Sequence, residues 1–456
     1  MRRYLILGNG AAGVTAAEEI RRADPSGEIT LVSPEKHPMY SRPGLAYVLL
    51  KEIPPQQALA RTLEWYRERE LRLVHGEAVG LDPAAQQVRL ASGAALPYDR
   101  LLIATGARAV GLPYPGGDLD GVVYLDTLDG THDLLKRAKR ARRAVVVGGG
   151  ITALELAEGL AHHKLETHYC VRRGGLWSTV FNTAESDLLA ERLTAHGVIL
   201  HYFTEITRVV GDRRGRVAGV ELGNGQTLAC DLVGAGIGVR PQIDLARNAG
   251  LHVDRALVVD EHLQTSAPGV YAAGDCAQTW DRWTQRHTLD ILWPSAVAAG
   301  RVAGRNLAGS AETYVRGVPF NACLLFGVHL TAIGQLGHLR EADEPEVFQH
   351  ISRGASEVWA ARPANYASAW VQTGLDTVRL TLNGARLVGA LVMGNQTLAD
   401  PLRDLIEWQA DLTPLRPYLA AGGAAMLDMI VRFWRLQQLA RRPGLAQTAA
   451  PAPTRS

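Results

Sequence analysis

Cysteine is scarce in this chain: four in 456 residues, at Cys170, Cys230, Cys276 and Cys323, with no C-x-x-C spacing among them. That spread argues against a zinc site, an iron–sulfur site or a local redox disulfide, and the thiols read as core residues, so no metal is expected. An excess of one charge is also missing. Lysine and arginine total 48 against 46 acidic residues, which leaves no electrostatic reason to expect nucleic acid as a partner. Long hydrophobic runs are absent too. Met1-Arg2-Arg3 leads through Tyr4–Leu7 straight into a glycine loop, with no stretch suited to a signal peptide. The most apolar segment, Val318 to Ile333, is broken by Pro319, Asn321, Gly327, His329 and Thr331, and is short for a bilayer span. A cytoplasmic protein without membrane association is the expectation.

Apolar residues make up 47% of the chain, enough at this length for two or three domains. The strongest organising signal is an internal repeat. Leu7-Gly8-Asn9-Gly10-Ala11-Ala12-Gly13 recurs in kind as Val147-Gly148-Gly149-Gly150-Ile151-Thr152-Ala153. Each copy follows a β-type run and opens a helical pattern. The first unit reads as strand 3–7, helix 11–23 and strand 28–33; the second as strand 144–147, helix 152–163 and strand 166–171. Between the units, Ala78 to Leu96 turns like a β-meander and leads into Arg100–Gly106. After the second unit, strands Val217–Leu222 and Leu228–Val233 flank Asn224-Gly225 and lead into Gly234-Ala235-Gly236. From about Ala311 the pattern becomes strands such as 378–382 and 387–393, then helices 400–408 and 424–440. Gly444 to Ser456 lacks periodicity and reads as a disordered tail.

In such a unit the first glycine permits the tight turn, the second lets backbone approach a pyrophosphate, and the third lets helix pack on strand. Gly8, Gly10 and Gly13 fill these roles, with Ala12 beside them at the helix start. An acidic residue past the second strand should take the ribose hydroxyls, and Glu35 is assigned to it in preference to Glu28.

Residues 1 to about 306 resemble the two-dinucleotide-domain flavoproteins, the FAD-dependent pyridine nucleotide-disulfide oxidoreductase superfamily. The likeness is to its ferredoxin reductase, rubredoxin reductase and nitrite-reductase-like branch. The segment Glu35-Lys36-His37-Pro38-Met39-Tyr40-Ser41-Arg42-Pro43 is similar to that branch's loop after the ribose carboxylate. The resemblance implies that Arg42 and Pro43 approach the FAD diphosphate and flavin, Arg42 through its planar fork. It also implies that Thr105-Gly106 closes over FAD, and that Asp275 of Val270-Tyr271-Ala272-Ala273-Gly274-Asp275 meets its ribityl and diphosphate region. Val79, Gly236 and Pro294 are placed among the cofactor contacts, Pro294 in a helix start, Trp293-Pro294-Ser295, that resembles the one facing the flavin's pyrimidine edge.

The same likeness assigns NAD(P)H to the second loop, with Gly148, Gly150 and Ile151 as contacts and Ala153 in place of the third glycine. Glu155 matches a glutamate near the flavin N5 edge and the nicotinamide and is the candidate catalytic residue. Val171 stands where a carboxylate would favour NADH, and Arg172-Arg173 follow, a pattern that tolerates a 2′-phosphate. Departures count as well. No cysteine lies between Tyr40 and Lys51, so no thiol relay is expected, and Ala46 and Tyr47 stand where many relatives carry a lysine.

The expected fold is α/β: two Rossmann-like domains with β-meander insertions plus an α+β C-terminal domain. Residues 1–107 and 231–306 would bind FAD, 108–230 NAD(P)H, 307–440 would form the third domain, and 441–456 the tail. The implied activity is hydride transfer from NAD(P)H to FAD, with electrons passed to a small iron–sulfur or rubredoxin-like protein; relatives often form homodimers through the third domain. Two alternatives accompany this: a membrane-surface quinone or dye reductase using the helix near Met426 to Leu439, and a flavin-binding redox-sensing interaction protein.

Overall fold

A computed structural model describes residues 1–337 and 353–441. The expected tail lies outside these residues, apart from Arg441. By internal contact the chain forms two compact units, the first comprising Met1–Pro319 and a returning segment that ends at Val358, the second Phe320–Gly337 and the residues from Trp359 onward. The division at Phe320 falls later than the expected start at 307.

The first unit repeats one architecture. In its first sheet Arg3–Leu7 is central, flanked in parallel by Glu28–Ser33 and Arg100–Ile103, with Leu71–His75 and Val270–Ala272 outermost. In the second, Arg143–Val147 is central between Glu166–Cys170 and Leu232–Ala235, with Val198–His201 and Val122–Val123 at the edges. Both central strands are buried along nearly their whole length, because each parallel sheet is covered on one face by helices and on the other by an antiparallel insertion, which leaves no side for polar alternation. The helices that follow the two loops, Ala11–Ala23 and Ile151–His162, are the crossovers to the next strands.

Each half carries a three-stranded antiparallel insertion. The first is the meander of Ala78–Asp82, Gln87–Leu90 and Ala95–Pro97. The second departs from expectation: the run 228–233 is two strands, not one. Thr227–Ala229 closes the insertion, and Leu232–Ala235 enters the parallel sheet. The break falls at Asp231, whose carboxylate accepts the backbone N–H groups of Arg142 and Arg143 at 2.7 and 3.0 Å. That side-chain anchor competes with continued strand pairing and turns the chain.

Beyond the second sheet, the segment ending at Val358 is stitched into the first unit. Ala355–Ser356 pairs antiparallel with Asp290–Ile291. Glu357 accepts the Leu289 N–H at 2.9 Å and pairs with Arg255. Arg316, buried, ties Asp281, Asp290, Thr288 and Ser356 together. A buried arginine with this many partners holds its surroundings in one arrangement.

The second unit is α+β. Its sheet runs Phe320–Leu325, Val328–Gly334, Arg386–Met393, Asp376–Asn383, Tyr366–Thr373, all antiparallel. Helices Ala399–Glu407, Arg416–Ala421 and Gly423–Ala440 follow, the last joined to the first by Trp434 Nε1 donating to Asp404 at 2.9 Å. Among the described residues no helix is long and apolar enough to cross a membrane.

Candidate functional site

The two glycine loops are the framework of the site. Gly8 sits at φ +120°, and a Cβ there would lie 2.0 Å from the carbonyl oxygen of Ala104. Gly148 matches it at φ +138°, 2.1 Å from the oxygen of Gly236. In both loops only glycine serves, since the backbone is left-handed and the neighbouring strand is in contact. By contrast, a Cβ on Gly10 or Gly149 would meet no protein atom within 4 Å. These backbones face open space in front of helices whose first turns, capped by Gly10 and Gly150, receive no side-chain hydrogen bond. Unsatisfied N–H groups behind an open backbone are what a diphosphate requires.

The third glycine position differs between the halves for a packing reason. Gly13 lies against Gly8, where a Cβ would come 2.2 Å from the Gly8 oxygen. In the second half Ala153 takes that place, and Gly236 stands opposite where the first half has Ala104. A Cβ on Gly236 would lie 2.6 Å from Ala153 N. One methyl group has changed sides, so the structure gives Gly236 a packing role in the second loop.

Around the first loop, Asn9 latches the turn to the following segment: its Oδ1 accepts from Tyr66 OH at 2.6 Å and its Nδ2 donates to His37 O at 3.2 Å. Glu35 and Arg42 are brought together. The carboxylate of Glu35 accepts from Tyr40 OH at 2.6 Å and pairs with Arg42, whose other nitrogen donates to the carbonyl of Asp126. Tyr40 in turn accepts the Leu128 N–H at 3.3 Å, and burial raises its phenol pKa. Pro43 caps the helix Gly44–Leu49. Ala12 and Ile151 are buried at the two helix starts. Pro294 occupies the first turn of helix Trp293–Leu307, where its missing N–H costs nothing. Val79 is 47% exposed on the meander.

Thr105 and Gly106 form the crossover after Arg100–Ile103. Thr105 exchanges hydrogen bonds with Gln242, both at 2.7 Å, and Gly106 turns at φ +69°. Asp275 follows Gly274, which has φ +80°. Burial raises the pKa of its carboxyl, opposed by Arg353 and Arg42. Arg353 went unnoticed in the sequence, as did Asp126. Arg353 pairs with Asp126, donates to Ala107 O at 3.0 Å and stands 3.7 Å from Asp275.

In the second half Gly148–Gly150, Arg172, Arg173 and Glu205 line one cavity. Arg172 lies 3.7 Å from Glu205, which also accepts from Tyr114 OH at 3.1 Å, and Arg173 donates to Ser178 at 3.0 Å. Glu155, in the second turn of its helix, has its carboxyl pushed up to about 8 by desolvation and by Glu158, with Arg353 pulling the other way. The four cysteines form no disulfide. Burial pushes the thiols of Cys170 and Cys230 up to about 12, the opposite of what a reactive thiolate needs.

Two parallel sheets of one order, each with a glycine turn before an uncapped helix, define a double dinucleotide-binding fold. The sequence model of one family, described as pyridine nucleotide-disulphide oxidoreductase, matches residues 2–300, and the chain belongs to that family. The chain is 35% identical over 275 residues to the rhodocoxin reductase of Rhodococcus erythropolis, covering 60% of this chain and 64% of that protein. It is 27% identical over 415 residues to the nitrite reductase [NAD(P)H] of Bacillus subtilis, covering 90% of this chain but only 48% of that one. The chain thus spans about half to two thirds of the length of these curated relatives. The crystal structure of a ferredoxin reductase from Rhodopseudomonas palustris superposes with a TM-score of 0.80 at 26% identity, over 91% of this chain and 96% of that one.

Proposed function

We propose that the chain is an FAD-dependent NAD(P)H oxidoreductase of the cytoplasm that passes electrons to a small iron–sulfur or rubredoxin-like protein. The observation that carries the reading is the doubled loop: Gly8 and Gly148 each press on the chain beyond the neighbouring strand, and each loop has open space before its helix start, at Gly10 in the first and at Gly149, the position of Asn9, in the second. Two such cradles in one unit suit two dinucleotides held face to face. In this reading residues 1–107 and 231–306 hold FAD and 108–230 hold NAD(P)H.

FAD, when bound, supplies the two-electron acceptor that no side chain here provides. Gly8, Gly10, Ala12 and Gly13 take its diphosphate on the helix N-terminus. Arg42, Pro43, Thr105, Gly106 and Asp275 enclose the remainder, and Glu35 accepts ribose hydroxyls once it is released from Arg42. Gly148, Gly150, Ile151 and Gly236 shape the nicotinamide nucleotide's seat, and Arg172 and Arg173 face its adenosine end. Hydride transfer asks the protein chiefly for position. Glu155, a carboxyl that keeps its proton at neutral pH, adds no negative charge where the nicotinamide docks. The names of two relatives, a rhodocoxin reductase and a ferredoxin reductase, support a protein acceptor.

The test is anaerobic: reduce the flavin with a stoichiometric amount of NAD(P)H, mix with a ferredoxin or a rubredoxin, and follow the acceptor's visible bands. Rapid acceptor reduction with return of oxidised flavin is expected. A flavin reduced by NAD(P)H that reoxidises only with oxygen or quinones would refute the protein-acceptor reading.

A further inference from the structure

The returning segment places one group in the first unit that no glycine-loop motif accounts for. Arg353 arrives on the chain just before the Ala355–Ser356 pairing with Asp290–Ile291, a pairing secured by the Glu357 contacts to Arg255 and the Leu289 N–H. Its side chain is only 14% exposed. One terminal nitrogen pairs with Asp126 and donates to Ala107 O, the other stands 3.7 Å from Asp275, and Nε is buried with no hydrogen-bond partner. Asp126 is held from behind, its Oδ2 accepting the Ala109 N–H at 3.0 Å. Glu155, from the helix that opens the second half, lies within electrostatic reach of Arg353.

These neighbours locate the cation. Arg42 pairs with Glu35 and also stands 3.9 Å from Asp126, so the two arginines share that carboxylate. Arg353 stands 3.7 Å from Asp275 and bears electrostatically on Glu155 of the second half, the side from which a nicotinamide held by the second loop would approach. We infer that Arg353 is a charge-balancing residue of the flavin pocket, set beside the ring end of FAD and held there by Asp126 and Asp275. This rests on the proposed function.

The chemistry gives the cation its purpose. Transfer of a hydride leaves NAD(P)⁺ and places two electrons and one proton on the flavin, which thereby gains one negative charge. Without Arg353 that charge would form beside Asp126 and Asp275, with only Arg42 to offset them. A fixed, poorly hydrated guanidinium favours the reduced form at such a site.

The test uses the flavin-loaded protein, with Arg353→Gln, Arg353→Lys and Asp126→Asn, and reads the midpoint potential by equilibration with reference dyes alongside the flavin retained per chain. Arg353→Gln is expected to move the reduction equilibrium about tenfold against reduced flavin, about 30 mV for a two-electron couple. Arg353→Lys should restore most of the shift, and Asp126→Asn should move the potential upward. If Arg353→Gln loses its flavin while Arg353→Lys keeps it, the cation is again required. Wild-type potential and retention in Arg353→Gln would overturn the inference, as would equal shifts in the Gln and Lys variants, which would assign the effect to shape. A wild-type chain that holds no flavin would instead strike the proposed function.

Discussion

Replacing Glu155 with glutamine tests the electrostatics of the junction directly. The carboxyl is pushed from its usual 4.5 up to about 8, a preference for the protonated form on the order of 5 kcal/mol. Because the folded pKa lies above the unfolded one, the folded chain binds a proton that the unfolded chain has released. Stability therefore falls as pH rises from 4.5 toward 8 and levels off above it. Flavin-free wild type and flavin-free E155Q should be equally stable at the acid end of this range. Near its alkaline end E155Q should be the more stable by about 2–5 kcal/mol, the lower figure allowing for water that reaches the carboxylate. Denaturant melts of both proteins across the range measure the difference. The neighbours supply internal controls: E158Q removes a group that raises the Glu155 pKa and should flatten the slope, whereas R353Q removes one that lowers it and should extend the slope to higher pH. Parallel stability curves for wild type and E155Q would refute the reasoning.

Three further outcomes are expected. Gly8→Ala sets a methyl 2.0 Å from Ala104 O and should yield protein without flavin, whereas Gly148→Ala, 2.1 Å from Gly236 O, should keep its flavin but lose NAD(P)H binding; absorption spectra and nucleotide titration separate the two. Gly236→Ala, which crowds Ala153 N at 2.6 Å, should destabilise the protein by about 1–3 kcal/mol, and adding Ala153→Gly should recover part of that loss in thermal melts, because the pair then copies Gly13 and Ala104. Arg172→Ala with Arg173→Ala should weaken 2′,5′-ADP at least tenfold while changing 5′-AMP little, about 1.4 kcal/mol or more of phosphate contact; calorimetric titration of both nucleotides decides it, and equal weakening of the two would contradict a 2′-phosphate role.

Much of the first unit was legible because its signals are local. The strands Arg3–Leu7 and Glu28–Ser33 and the helix Ala11–Ala23 have the limits expected, set by an apolar run, a glycine turn and Asp24-Pro25-Ser26-Gly27. The Leu228–Val233 run misled because its apolar residues continue across Asp231, and only the backbone contacts to Arg142 and Arg143 reveal the turn. Arg353 and Asp126 were invisible for a related reason. Neither sits in a glycine loop, and their meeting depends on residues 227 positions apart being joined by sheet pairing and an ion pair. The exchange of one methyl between Ala104 and Gly236 had no local signal either, since it needs the two loops compared in space.

In the proposed function two cradles, one in each half of the first unit, hold FAD and NAD(P)H. Its most direct measurement is the flavin content of the purified chain followed by anaerobic titration with NAD(P)H. A yellow protein with one FAD per chain is expected, whose visible absorption bleaches fully with one equivalent of reduced nucleotide. A chain that takes up no FAD, or that binds it and stays yellow under excess NADH and NADPH alike, would contradict it.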